Sequence, residues 1–476
     1  MVFSSLLFLY AFLAALLAVY FFPLFRRRIA PRNWILLLFS LLFYCCGGLR
    51  FLPVILLSIL GSYLFGRLVG GHAPPRRKKL YAGLSVGFHV GILVVFKYLG
   101  FLTENLHRLI PQLPVAQLVL PIGISFYTFQ GLSYILDVYR GEVPAERSLA
   151  SVALYISLFP QLIAGPIVRY QTVAEELHER STSSQDAALG VQRFLFGLGK
   201  KVLLANPMGA LADQVFGHSG DTLGGALAWL GLLAYTAQIY FDFSGYSDMA
   251  IGLGRLFGFH FPENFRYPYV AQSVRDFWKR WHITLSTWFR DYVYIPLGGS
   301  RCSKARHIRN FALVWLLTGL WHGAAWNYIL WGVYYGALLL GERYLWGRAW
   351  ERLPRPFRHI LTLLLVMLGW LLFRGTDLGQ IAAFLRAMVG LSPAGFGGGE
   401  AVFLLRQYLP ELLCAVLFSL PLLPGVKSAL TRSGREGLSY RLFDHWALPL
   451  LSLLVGCLSV MQLVRSGFNP FLYYQF

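Results

Sequence analysis

Long apolar runs separated by short polar links fill most of this chain. Candidate segments lie near 3–22, 33–46, 51–69, 81–100, 116–136, 149–168, 190–206, 225–241, 311–318, 324–345, 358–373, 401–421 and 446–464. A helix that crosses the hydrocarbon core needs about 20 mainly apolar residues, and several of these segments are too short to cross alone. Irregular backbone at membrane depth survives only inside protein or beside water. The pattern therefore predicts an all-α, polytopic integral membrane protein with roughly ten to thirteen helices, some of them broken or re-entrant.

Composition agrees: 56% of the 476 residues are hydrophobic and 13% are charged, values that belong to multi-pass membrane proteins. The net charge of +20 does not point to nucleic acid, because the basic residues are scattered among loops and not massed on one soluble face. They read as topology signals that also meet anionic membrane lipid. Basic loops favour the cytoplasm, which places the runs at 26–32 and 76–79 inside and the N-terminus outside. No positive charge precedes the first apolar run, so it is expected to stay as an anchor and not to be cleaved. Lys200 and Lys201 most simply mark a further cytoplasmic end. The five cysteines, Cys45, Cys46, Cys302, Cys414 and Cys457, lack metal-ligand spacing and read as small core residues.

Polar residues return in force between 262 and 326. Within that stretch stand Glu263, Arg266, Arg275, Asp276, Lys279, Arg280, His282, Arg290 and Asp291, and then a lone histidine, His322, between Trp321 and Gly323. Ionisable groups in a membrane segment are costly unless paired or facing water, so such a cluster reads as a functional site. Chemistry is thereby concentrated in 116–345, with peripheral helices at 1–115 and plainer helices and loops at 346–476. At helical spacing Trp278, Trp281, Leu285 and Trp288 share one face, while Arg275, Lys279 and His282 lie near one another on another side. Two readings fit this segment. One is an amphipathic helix lying in the membrane interface; the other is a mouth where cations meet the phosphates of a charged donor such as a coenzyme A thioester.

His322 also has two readings, a structural residue donating to a backbone carbonyl or a general base that accepts a hydroxyl proton. Small residues around it, Gly319, Gly323, Ala324 and Ala325, either let helices approach closely or leave a narrow passage. Asp242 and Asp248 would position a donor or pair with Arg266, the ion pair being the simpler role. Ser125, Tyr127, Thr128 and Gln130 line a helix opened by Pro121, either along a channel or as polar contacts between helices. His260, His282, His307 and His322 lack the paired spacing of a zinc site, so no metal is expected. No phosphate-cradling glycine loop supports a nucleoside triphosphate or nicotinamide cofactor.

Phe277-Trp-Lys-Arg-Trp-His282, followed by Trp321-His322-Gly323, resembles the paired motif of the membrane-bound O-acyltransferases. Phe241-Asp-Phe-Ser-Gly-Tyr-Ser-Asp248, Pro262-Glu-Asn-Phe-Arg-Tyr-Pro268, Arg290-Asp-Tyr-Val-Tyr-Ile-Pro-Leu-Gly-Gly299 and Pro470-Phe-Leu-Tyr-Tyr-Gln-Phe476 are similar to the branch that acetylates alginate. Leu120-Pro-Ile-Gly-Ile-Ser-Phe-Tyr-Thr-Phe-Gln130 and Phe159-Pro-Gln-Leu-Ile-Ala-Gly-Pro166 extend the likeness over most of the chain from 116 onward.

The resemblance implies helices around a central funnel or channel in the bacterial cytoplasmic (inner) membrane. It implies His322 and His282 as the catalytic pair, with His322 as base and His282 among the candidate oxyanion donors. Transient acetylation of His322 is a weaker alternative. The acyl donor is expected to be acetyl-CoA, met by Arg275, Trp278, Lys279, Arg280 and Arg290. Its acetyl group would cross the membrane to an exported polysaccharide, alginate foremost, with an extracytoplasmic SGNH-hydrolase-like acetyltransferase completing the transfer. Peptidoglycan, cellulose or D-alanylated teichoic acid are alternative acceptors within the family. A lipid or sugar transporter is the alternative outside it, although the two related halves common in transporters are not seen.

Overall fold

A computed structural model describes residues 1–25, 28–431 and 437–470. Arg26 and Arg27 of the first basic run and residues 471–476 of the C-terminal motif lie outside the described residues. Every regular element among those described is a helix, so the chain is an all-α membrane protein. Among the described residues, four helices are long and apolar enough to cross a membrane unaided: Leu49–Gly70, Pro75–Leu109, Arg355–Arg374 and Leu438–Arg465. A fifth span arises if Gly399–Gln407 and Leu409–Phe418, bent by 65°, are taken together.

Other apolar runs are interrupted for local reasons. In the 116–136 run the helix begins only at Ile124, because Pro121 and the left-handed Gly123 (φ 73°) precede it. The 149–168 run ends as a helix at Ser157, resumes briefly over Phe159–Leu162 with Pro160 in its first turn, and is not helical from 163 to 169. Proline without an N–H and glycine in a left-handed conformation both stop helix propagation. Gly225–Leu256 is 32 residues long but carries Asp242 and Asp248, so it is less apolar than its length suggests.

Two compact units are present, Met1–Phe194 with Met249–Pro262 and Leu195–Asp248 with Glu263–Phe476. In the first, helix Ile124–Arg140 is buried along most of its length and packs against Leu52–Gly70 and Pro75–Leu93. Buried Glu146 ties this unit together, accepting from Ser148 N, Tyr170 Oη and His178 Nε2, each at 2.8 Å. The second unit contains both histidines of the paired motif and the basic segment between them.

None of the five cysteines is buried; Cys46, Cys414 and Cys457 are exposed. The expectation of core positions fails because a lipid-facing surface is as apolar as a core, so an apolar run does not distinguish the two.

Candidate active site

The stretch read as one amphipathic helix is broken. Val274–Trp278 and Ile283–Phe289 are separate short helices, and between them His282 adopts a left-handed conformation at φ 43°. Arg275 and Lys279 consequently stay at the surface of a cleft while His282 turns inward, 1% exposed. They do not share a side, contrary to the helical-spacing expectation. The apolar face was placed correctly: Trp278, Trp281, Leu285 and Trp288 are all buried.

What turns His282 inward is the segment beside it. Arg266 N donates to Arg280 O at 2.9 Å and Ile283 N to Asn264 O at 3.0 Å, joining 264–266 to 280–283 as a short seam. Tyr267, at one end of that seam, is also left-handed at φ 49°. Non-glycine residues rarely occupy this region and each such position costs about 1–3 kcal/mol, a pattern that clusters at functional sites.

Inside the seam, Asn264 is completely buried. Its Oδ1 accepts from Thr284 Oγ1 at 2.8 Å and Thr284 N at 3.3 Å, and lies 3.0 Å from His282 Nδ1. Its Nδ2 donates to Ser247 Oγ at 3.1 Å. The imidazole is further held edge-to-face against Phe243, with ring centroids 4.7 Å apart. His282 lies outside the candidate spans, and burial pushes its pKa down to about 3. Neutral imidazole is the form a proton acceptor needs.

His322 closes helix Lys304–His322 and is 5% exposed. Its ring meets Trp321 at 4.9 Å, Trp331 at 4.9 Å and Phe373 at 5.2 Å. Trp321 also approaches His282, at 5.8 Å. The two histidines, 40 positions apart in sequence, therefore both contact one indole ring. Small residues near His322 serve close approach: a Cβ on Gly319 would overlap Tyr328 O, and one on Gly332 would lie 2.5 Å from Trp315 O. This contact packs Lys304–His322 backbone to backbone on Trp326–Gly341.

Beside the histidines lies a cleft of about 840 Å³, a size typical of small-molecule sites. Of the predicted donor-binding residues it gathers Arg275, Trp278, Lys279 and Arg290. Arg280 is not in its wall; it pairs with Asp276 at 2.9 Å. Arg343, Arg348 and Arg358 complete six cations against Asp276, Glu342 and Glu351. Neither histidine lines this cleft. Trp278 and Thr318 do; Thr318 stands one helical turn before His322, and Trp278 packs on Trp331 at 5.5 Å, which itself touches His322. Trp278 and Trp331 thus stand in series between the cleft and His322.

Sequence reasoning missed Asn264, Trp331, Phe373 and the three later arginines. Asn264 was legible only as a carboxamide inside a quoted motif, while Arg343, Arg348 and Arg358 looked like ordinary charges at helix ends. The aspartates of 241–248 are held as ion pairs, but not by Arg266. Asp242 meets Lys201 at 2.5 Å and Asp248 meets Lys200 at 2.6 Å. Lys201 is 2% exposed and also donates to Pro470 O, so the pair at 200–201 is not a solvated helix end.

Comparison with known proteins places this geometry. The probable alginate O-acetylase AlgI of Azotobacter vinelandii is 39% identical, with both chains covered in full, and the sequence model of the membrane-bound O-acyltransferase family matches residues 142–362. The chain belongs to the membrane-bound O-acyltransferase family. It is a multi-pass membrane O-acyltransferase. Another relative, the peptidoglycan O-acetyltransferase of Helicobacter pylori, is 35% identical over 82% of this chain and 80% of its own. The teichoic acid D-alanyltransferase of Bacillus subtilis is 29% identical over 56% of this chain and 71% of its own. Both histidines and the whole basic cleft lie inside the family match at 142–362.

Proposed function

We propose that this O-acyltransferase takes acetyl from acetyl-CoA on the cytoplasmic side of the bacterial inner membrane and passes it across for O-acetylation of an exported polysaccharide, alginate. Similarity over full length to probable alginate O-acetylases supports the acceptor. The observation that carries the mechanism is the contact of both His282 and His322 with Trp321, with Trp278 and Trp331 between His322 and a basic cleft.

In this reading residues 116–345 form the acyltransferase core, flanked by the helices of 1–115 and 346–476. Arg275, Lys279 and Arg290, joined by Arg343, Arg348 and Arg358, hold the donor's phosphates, and Trp278 forms the inner wall. Arg280 braces Asp276 instead of touching the donor. The thioester end reaches past Trp278 toward His322. Transfer to a hydroxyl needs a base for the attacking oxygen and a donor for the oxyanion, which together account for much of the barrier reduction. The two histidines supply these functions. A secreted SGNH-hydrolase-like acetyltransferase completes delivery to the polymer.

Free coenzyme A released by protein in lipid vesicles tests the donor, comparing wild type with His322→Ala and His282→Ala. Each substitution is expected to lower turnover about 10²–10⁴-fold while the thermal unfolding curve stays in place. Unaltered turnover in both variants sinks the catalytic pair. Mass spectrometry of polymer from cells carrying the protein checks the acceptor; D-alanyl in place of acetyl would overturn the acetyl reading in favour of the teichoic acid branch.

A further inference from the structure

Resting on the reading of the basic cleft as the site of the donor's phosphates, we infer that His307 is a positioning residue for donor binding. As a neutral hydrogen-bond acceptor it aims the Arg343 guanidinium at a phosphate without cancelling its charge. Arg343 lines the cleft, and its Nη1 donates to His307 Nε2 at 3.0 Å. His307 stands behind it, 2% exposed, in the first turn of helix Lys304–His322. A guanidinium has donors and no acceptor, so Nε2 must present its lone pair. The other ring nitrogen then carries the proton and donates to Tyr344 Oη at 2.9 Å. Both bonds coexist in one state of the imidazole only, the neutral Nδ1–H tautomer. Phe311, stacked at 5.9 Å, and the edges of Tyr294 and Tyr344 at 6.0 and 5.7 Å keep the ring in that orientation.

The kind of partner matters because the charge is needed elsewhere. Arg280 and Arg290 meet the carboxylates of Asp276 and Asp291, and an acid at contact distance offsets a cation's field at any third group nearby. Arg343 meets an uncharged ring instead. One of its N–H groups is thereby fixed while the charge facing the cleft stays undiminished. Glu342, its neighbour in the chain and also in the cleft wall, accepts from Arg275 N at 3.2 Å.

A proton on Nε2 would abolish the bond and set two cations against each other, turning Arg343 away from its aim. Burial and then the Arg343 charge hold the His307 pKa below the usual histidine value, which is about 6.5. The arrangement is therefore intact at neutral pH and fails in acid. The groups that face His307 are Arg343 and Tyr344 from the turn at 342–346 and Tyr294 from 290–294; Lys304, on the same helix, lies over the Tyr344 ring at 5.0 Å. Of these, His307 alone belongs to a residue type that titrates near neutral pH.

The test is coenzyme A binding by titration calorimetry to the full-length protein in lipid nanodiscs, at about pH 7.5 and about pH 5.5, on either side of the usual histidine value. It compares wild type with His307→Gln, His307→Leu, His307→Glu and, as a control on the cleft, Arg348→Glu with Arg358→Glu. At the higher pH the glutamine variant, a neutral acceptor, should bind as wild type does. Leucine, which cannot accept, and glutamate, which accepts but cancels the charge, should each weaken binding about three- to tenfold, the effect of one hydrogen bond. In acid the wild type should lose more affinity than His307→Gln, whose loss reports only the donor phosphate, with its own second pKa of about 6. Wild-type affinity in His307→Glu would reduce His307 to a tether between two helices and overturn the inference, as would equal pH dependence in wild type and His307→Gln. If His307→Leu does not fold, the glutamine and glutamate variants decide. Unaltered binding in the Arg348→Glu, Arg358→Glu protein sinks the donor cleft itself, a result distinct from weakened binding there with no response to His307.

Discussion

Several buried charges and imidazoles in this protein are tied to an identifiable partner, so single substitutions there have directional consequences. Lys201 and Asp242 are 3% and 2% exposed at their side chains, and removing one partner strands the other in a low-dielectric interior. Lys201→Met is expected to destabilise by about 3–5 kcal/mol, and Lys201→Met with Asp242→Leu to recover most of the loss; thermal unfolding in detergent reads both. His307 accepts from Arg343 Nη1 through Nε2 at 3.0 Å and donates through Nδ1 to Tyr344 Oη at 2.9 Å. Burial, and then the Arg343 charge, lower its pKa below the usual histidine value. The unfolded chain therefore binds this proton more readily, and its contribution to stability is present above about pH 6.5 and declines as pH falls below that value. His307→Gln should flatten that dependence; a wild-type slope of the unfolding midpoint between pH 7 and 5 in the variant would refute it. Residue chemistry was legible in the sequence where it was rare, as with a histidine in an apolar run. It was not legible for Asn264, whose role comes from a contact 18 positions away.

At the level of elements, two features shape the site: the break at 279–282 and the tight pairing of Lys304–His322 with Trp326–Gly341. The helical period correctly marked Trp278, Trp281, Leu285 and Trp288 as inward, because period and burial survive a short interruption. It misplaced His282 because no periodic rule encodes a left-handed residue held from another segment. Helix pairing was half legible, since glycines and alanines near 319–325 suggested either closeness or a passage and the carbonyls of Tyr328 and Trp315 decide for closeness. Gly319→Val adds bulk where even a Cβ would overlap Tyr328 O. Overpacking of this kind costs about 1–3 kcal/mol, so a lower unfolding temperature is expected, together with reduced turnover as His322, three residues on, is displaced. Unchanged values of both would show that the helices separate without consequence.

For the molecule as a whole, hydropathy identified a membrane protein at once. It could not say which apolar runs cross unaided, since the breaks at Pro121 and Pro160 and the charge of the aspartates within the unbroken helix Gly225–Leu256 depend on local conformation and pairing. Nor could it assemble the cleft, whose cations come from 275–290 and from 343–358. Six cations against three acids make donor binding sensitive to screening. Raising ionic strength is expected to increase donor KM with little change in kcat. Arg348→Glu with Arg358→Glu should raise KM by about tenfold or more, the equivalent of losing a hydrogen bond to a charged group. A fall in kcat at constant KM would instead move the donor site elsewhere.

Tyr267 and His282 hold the chain in a conformation that only glycine occupies without cost, and this sets heat tolerance against turnover at the same few residues. A laboratory screen for hardier variants would be drawn to Tyr267→Gly, which relieves strain locally while loosening the seam that aims the His282 imidazole. Survivors selected for endurance alone should be slower enzymes. A screen that scored product as well would be expected to leave this corner untouched and to collect its gains in the outer helices.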